Sequence, residues 1–159
     1  MTVGIDTYVT VAEADEYIST HYRSNSKDRK RWNELETEDK EVLLVNACTE
    51  LETLPFQGRK AVVDQPLSFP RLPMQYGRTD EGAPANVKAA QIELALWLSD
   101  EEKQVEIAQR VELQGQGVQS FSVGNLSESY NAPITHAALK CSKAKVLLSR
   151  YLNGGYAIC

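Results

Sequence analysis

Two histidines, three cysteines and a run of cations beside a tryptophan are the residues of this 159-residue chain that could do chemistry. His21 and His136 have no second histidine or cysteine at the spacing that metal ligands need. Cys48, Cys141 and Cys159 form no CxxC, and their odd number argues against a disulfide framework. Cys48 and Cys141 fall on helical patterns, where a free thiol serves as a small buried hydrophobe. Neither a G-x-S-x-G elbow nor a Walker loop occurs. Gly115-Gln116-Gly117 begins like a dinucleotide fingerprint, but Ser120 occupies the third glycine position. The acidic pairs Asp15–Glu16 and Glu101–Glu102 are adjacent, and adjacent residues on a helix do not face one another. They read as solvated surface. Asn125-Leu126-Ser127 is a glycosylation sequon that has meaning only in a secreted chain. The expectation is a protein with no catalytic residue, no cofactor and no metal.

The remaining chemistry is binding. Lys27, Arg29, Lys30 and Arg31 precede Trp32, so this stretch could meet phosphates and stack a base. The plainer reading makes Trp32 an anchor to the core, because aromatic residues dominate packing. Lys140, Lys143 and Arg150 lie near the other end. With Lys145 they follow the last acid, Glu128, and leave a balance of −9 for the first 128 residues out of a total of −5. A dedicated nucleic-acid binder is usually basic overall, and this chain is not. The basic segment marks either a polar partner or a solvated helix face.

The elements that position these residues can be read from periodicity. Length and 42% hydrophobic content fit one domain, 1–159. Thr10 and Glu13 have capping-box spacing, and Val11, Ala14, Ile18 and Tyr22 recur at helical intervals, which predicts a helix over 11–22. Residues 24–31 read as an exposed loop or a short helical turn. Thr37 is placed to cap a second helix, 38–54, with the stripe Leu44, Ala47, Cys48, Leu51, Leu54 and a stop at Pro55. Residues 55–83 carry too much proline and glycine for a helix. Their Leu67, Phe69, Leu72, Met74 and Tyr76 must pack on the domain or on a neighbouring subunit. Pro84 opens a third helix, 84–99, faced by Val87, Ala90, Gln91, Leu94, Trp97 and Leu98. Residues 104–130 lose the helical period. Alternation around Val118, Phe121 and Val123 between glycines predicts a β-hairpin or extended arm, which needs another surface to be stable. Pro133 opens the last helix, 133–152, whose apolar face is Ala137, Cys141, Ala144, Leu148, Tyr151 and Leu152, and Asn153-Gly154-Gly155 ends it. The architecture expected is mainly α: a four-helix bundle-like domain with a long Pro/Gly loop and an arm before the last helix. No apolar run reaches the roughly 20 residues of a membrane span. Residues 1–6 lack the regions of a secretory signal, so the chain is expected to be made and kept in a cytoplasm.

The ordered set Tyr8-Val9-Thr10-Val11, Ala14-Asp15-Glu16-Tyr17-Ile18, Trp32, Asp39-Lys40-Glu41, Phe56-Gln57-Gly58-Arg59, Leu67-Ser68-Phe69-Pro70-Arg71, Val87-Lys88, Glu93-Leu94-Ala95 and Leu147-Leu148-Ser149-Arg150-Tyr151-Leu152 carries a resemblance over nearly the whole chain. It resembles the head–tail connector, or adaptor, proteins of long-tailed bacteriophages. The L-x-[FW]-P-R element after F-x-G-R is its most distinctive part. Similar sequences are often labelled DnaT-like single-stranded-DNA-binding proteins. The connector resemblance implies a virion protein at the head–tail junction, made in the host bacterial cytoplasm. It implies a ring, typically of twelve, under the portal protein. That ring would extend the channel for genomic DNA and dock a tail-side neck or tail-terminator protein, with no membrane partner. A negative lumen would repel the phosphates of passing DNA. Lys140, Lys143, Arg150, Tyr151 and Tyr156 would then face portal or DNA. Leu67, Phe69, Arg71, Val118, Phe121 and Val123 would meet neighbouring subunits through head-to-tail contacts. The alternative is a single-stranded-DNA-binding module of a replication apparatus, using Lys27, Arg29, Lys30, Arg31 and Trp32.

Overall fold

A computed structural model describes residues 1–72, 82–105 and 139–153, and the backbone of 120–123 and 126–129. The chain is mainly helical. The order is α1 Val11–His21, α2 Lys27–Glu34, α3 Thr37–Glu52, β1 Arg59–Lys60, β2 Arg71–Leu72, α4 Ala85–Leu98, β3 Ser120–Val123, β4 Leu126–Ser129, α5 Ser142–Leu148 and a 3-10 turn Ser149–Tyr151. The chain divides into two compact units, Met1–Ser99 with Leu139–Cys159, and Asp100–Ala138.

In the larger unit α4 is central and packs mainly on α3 and α5, with α1 against both α3 and α4. Its apolar residues are buried almost all round, as expected of a helix that neighbours enclose. The core adds Ile18, Leu44, Leu51, Phe56, Phe69 and Leu148 from the surrounding elements.

Local signals explain most boundaries. Thr10 accepts from the Glu13 N–H while Glu13 Oε2 accepts from the Thr10 N–H at 2.7 Å, so both halves of the capping box form. Three boundaries differ from the sequence reading. Residues 24–31, read as an exposed loop or a short helical turn, take the helical alternative, which runs from 27 to 34 and is capped by the Ser26 side chain at the Arg29 N–H. Thr37 is the first residue of α3 and not its cap, since Glu36 holds the extended cap position. The last helix begins at Ser142 and not at Pro133. Leu139 to Cys141 are non-helical, with Cys141 extended and its thiol donating to the Glu93 carbonyl oxygen at 3.6 Å. The stretch 133–138 lies outside the described residues.

The Pro/Gly loop has a short antiparallel ladder, pairing Arg59 with Leu72 and Lys60 with Arg71. Its apolar residues turn inward. Phe69 meets Phe56 at 4.9 Å, Tyr151 at 5.6 Å and Tyr8 at 6.1 Å, each edge to face, the favoured geometry for aromatic pairs. The Phe69–Pro70 bond is cis. Residues 55–57 are joined to 151–153: Phe56 bridges Leu152, the Gln57 N–H donates to Tyr151 O at 2.8 Å, and the Asn153 N–H donates to Pro55 O at 3.0 Å.

In the smaller unit, residues 101–105 are helical. The arm expected over 104–130 contains an antiparallel hairpin that pairs Ser120 with Ser129, Phe121 with Glu128, Ser122 with Ser127 and Val123 with Leu126.

Candidate nucleic-acid interface

The basic stretch before Trp32 separates into two kinds of residue. Lys27 and Lys30 are exposed on α2. Arg29 is half-buried and donates from Nη1 to Ser19 O at 3.1 Å and Tyr22 O at 3.0 Å. It thereby satisfies carbonyls at the end of α1, where a cation is also favoured by the helix dipole. Arg31 does the same for α4, donating to Leu96 O, Ser99 Oγ and Asp28 Oδ1. Trp32 is fully buried. Its indole N–H donates to Asp15 Oδ1 at 2.7 Å, and Lys40 lies 5.5 Å over the ring. The stacking role expected of Trp32 is corrected: a ring enclosed by the core has no face to offer a base. The anchoring reading holds.

The expected interface residues of the loop are corrected in the same way. Leu67 and Phe69 are buried in the chain's own core. The Arg71 guanidinium donates to Gln57 O at 2.7 Å, Gly58 O at 2.7 Å, Phe56 O at 3.2 Å and Ser68 O at 3.3 Å. The two motifs F-x-G-R and L-x-F-P-R are thus one structure, in which the arginine of the second gathers the carbonyls of the first. Gly58 has φ of 73°, in the left-handed region that glycine occupies without steric cost. Phe121 and Val123 belong to β3, and Val118 and Tyr156 lie outside the described residues.

Near the chain end, Lys140 and Arg150 are exposed, but Lys140 precedes α5 and Tyr151 is buried against Phe69. Tyr151 therefore cannot present its ring to portal or DNA as expected. Lys143 is different. Its Nζ lies 4.3 Å from the Tyr22 ring centroid, bonds the Tyr22 hydroxyl, and stands 3.5 Å from Glu93 Oε2. Its side chain is 60% exposed, that of Glu93 only 7%.

Glu93 organises this corner, and sequence reasoning missed it. The Tyr17 hydroxyl donates to Oε1 at 3.0 Å and the Tyr22 hydroxyl to Oε2. A buried carboxylate is tolerable only with such donors and a countercharge. Burial raises both tyrosine pKa values, and the Glu93 charge and hydrogen bonds push them further up, so both hydroxyls stay protonated as donors. The available signal was a single acid in the apolar second half of α4, Ile92–Leu98. Around Tyr22, then, stand the exposed Arg23 that follows it, Lys143 from α5, and Arg29 on its carbonyl. Asp28 of α2 is close enough for its charge to act on the Tyr22 hydroxyl. His21 stacks on Tyr17 at 4.0 Å and 20°. The corner offers cations and aromatic rims in one place.

Two other buried polar groups hold the fold. Gln91 accepts from the Tyr8 N–H at 3.0 Å and donates to Thr7 Oγ1 at 2.6 Å and Leu44 O at 2.8 Å. Glu52 accepts from the Tyr8 hydroxyl and from the Ser68 N–H at 2.8 Å. Among the described residues, no three histidine, cysteine, aspartate or glutamate side chains could hold a metal ion, and no helix is long and apolar enough to cross a membrane.

The fold and this corner define a mainly helical protein, tied by buried polar hubs, that carries an aromatic and basic surface. The chain belongs to the family described as "Putative DnaT-like ssDNA binding protein", whose model matches residues 1–159. No curated protein and no solved structure matches it.

Proposed function

We propose that the chain works by binding and not by catalysis, and that it is a single-stranded-DNA-binding protein whose contact surface is the Tyr22 corner. The observation that carries this reading is Lys143 standing on the partly exposed Tyr22, with the exposed Arg23 next in sequence and the His21 ring stacked on Tyr17. Cations meet phosphates while the exposed His21 ring, stacked on Tyr17, can stack a base, the combination that sequence-tolerant single-strand binders use. The family description supports it. The net charge of −5 makes the contact local and weak. With two phosphates neutralised, log K would fall with log salt at a slope of about −1.4. The test is titration of a labelled oligothymidine at low and moderate salt. Arg23→Gln with Lys143→Gln should lower affinity at least about tenfold, roughly 1.4 kcal/mol, while Lys30→Gln should change it less. Absence of binding by the wild-type chain at low salt ends this reading.

The second reading is the phage head–tail connector: a ring, typically of twelve, that joins portal to a tail-side neck or tail-terminator protein around the DNA channel in the virion. It is favoured by the separate unit Asp100–Ala138, whose two-stranded hairpin pairs only with itself among the described residues. Such a hairpin is marginal alone, and a partner subunit would complete it. It is checked by the mass of the protein alone and mixed with the portal protein encoded beside it. A ring-sized species or a portal-dependent shift supports the connector, and indifference to portal removes it.

A further inference from the structure

His21 is the last residue of α1 and stands beside Tyr22, and two contacts fix its ring. One face stacks on Tyr17 at 4.0 Å and 20°. Its Nδ1 lies 2.9 Å from Tyr17 O. A carbonyl oxygen only accepts, so Nδ1 carries the hydrogen and donates, and the neutral ring keeps its lone pair on Nε2. Tyr17 is itself anchored, since its hydroxyl donates to Oε1 of the buried Glu93 at 3.0 Å. The exposed His21 ring is thus mounted on a platform whose foot is in the core. A group held in this way loses little freedom when a ligand meets it.

Histidine is the side chain that ordinarily changes charge between about pH 5 and 8. A proton taken from water adds a hydrogen at Nε2 and leaves the Nδ1–H bond to Tyr17 O in place. The ring gains a charge and a second donor without turning. Neutral Nε2 can only accept, so it has nothing to offer a phosphate oxygen, whereas the imidazolium offers a charge-assisted donor. The charged groups around it have other partners. Glu93 of α4 is shared by Tyr17, Tyr22 and Lys143 of α5. On α2, Asp28 pairs with Arg31 at 2.8 Å, and Arg29 holds the carbonyls that end α1. Lys40 of α3 and Lys88 of α4 are tied to Asp15 and Glu13, towards the start of α1. On α1 itself, Asp15 and Glu16 precede His21 by more than one turn, and Arg23 follows just beyond the helix.

We propose that His21 is a third, proton-dependent cation of the Tyr22 corner. Protonated, it holds a further phosphate of the single strand through Nε2 while its ring stacks a base; neutral, it only stacks. The inference rests on the single-strand reading above and adds to it a regulation of the same site. Its sign is fixed: affinity and salt dependence both rise as pH falls through the histidine range, and both decline as pH rises.

The experiment is titration of labelled oligothymidine with the full chain over a series of salt concentrations, at about pH 6 and about pH 8. Two phosphate contacts give a slope of log K on log salt of about −1.4 at the higher pH, and a third should steepen it toward about −2.1 at the lower. His21→Phe keeps a ring without a charge, and its slope should be the same at both pH values. His21→Arg keeps a cation throughout, and its slope should be the steeper one at both. His136→Gln, at the other histidine, should follow the wild type. The His21 side chain is exposed, and thermal melting at each pH checks the fold of each variant. A wild-type slope that does not change with pH, or a change that survives in His21→Phe, overturns the inference and leaves the single-strand reading standing. A wild-type chain that binds at neither pH overturns both.

Discussion

Replacing Arg71 by lysine keeps the charge and removes the fork that reaches the carbonyls of Phe56, Gln57, Gly58 and Ser68. A lysine has three donors on one atom and cannot span that arc. The Arg71→Lys protein should lose about 2–3 kcal/mol in denaturant unfolding, the scale of a charge-assisted buried hydrogen bond lost. Trp32→Ala should cost about 3–5 kcal/mol through the cavity it leaves. Any fall in DNA affinity for that variant should vanish when titrations are restricted to the folded fraction. Burial pushes the Cys48 thiol up to about 12, helped by the nearby charges of Glu52 and Asp6, and an inert thiol follows. Iodoacetamide should leave Cys48 unmodified in the native protein and label it in denaturant, as peptide mass mapping will show; labelling at the native rate of a free thiol contradicts the burial.

At the scale of the element, α1 depends on its cap. Thr10→Ala should lower stability by about 1 kcal/mol. Partial burial works to raise the Glu13 carboxyl, but hydrogen bonds from Lys88 and Thr10 and the Lys88 charge outweigh it and hold the carboxyl below its ordinary value. A group lowered in this way stabilises the fold above its unfolded pKa, and that contribution fades as pH falls through the lowered value. The melting-temperature gap between wild type and Glu13→Gln should therefore be open at neutral pH and close on acidification. The helices α1, α3 and α4 were legible because their apolar residues recur at helical spacing and α1 carries its cap in sequence. The short α2 was legible only as one of two alternatives, because Trp32 is its one core residue and its other side chains are polar. The start of α5 was misplaced because Pro133 is a good first-turn residue, whereas the break at Cys141 rests on a tertiary bond to α4. The Tyr22 corner was hidden for a similar reason: Glu93, Tyr17 and Lys143 look like surface until three helices bring them together. Lys143 was singled out for its charge, without the partner that positions it.

For the whole molecule, the larger unit is closed by its own distant ends. Gln57 Nε2 donates to Leu152 O across 95 positions of sequence, beside the backbone bonds that join 55–57 to 151–153. Removing residues 149–159 should therefore abolish cooperative unfolding of the remainder, since Tyr151, Leu152 and these bonds go together. A truncated chain that still melts in one sharp transition contradicts this. The same zipper bears on how the protein is made. A chain leaving the ribosome presents α1 to α4 first, yet the last wall of their core is α5 and the strand-like segment after it. Until those residues emerge, Leu94, Phe56 and Phe69 have no complete cover, and the contacts that supply it are among the most distant in the sequence, the kind that form slowly. The nascent protein is thus committed to finishing its fold only after synthesis has passed position 152, and for that interval it is a natural client of the chaperones that shield apolar surface.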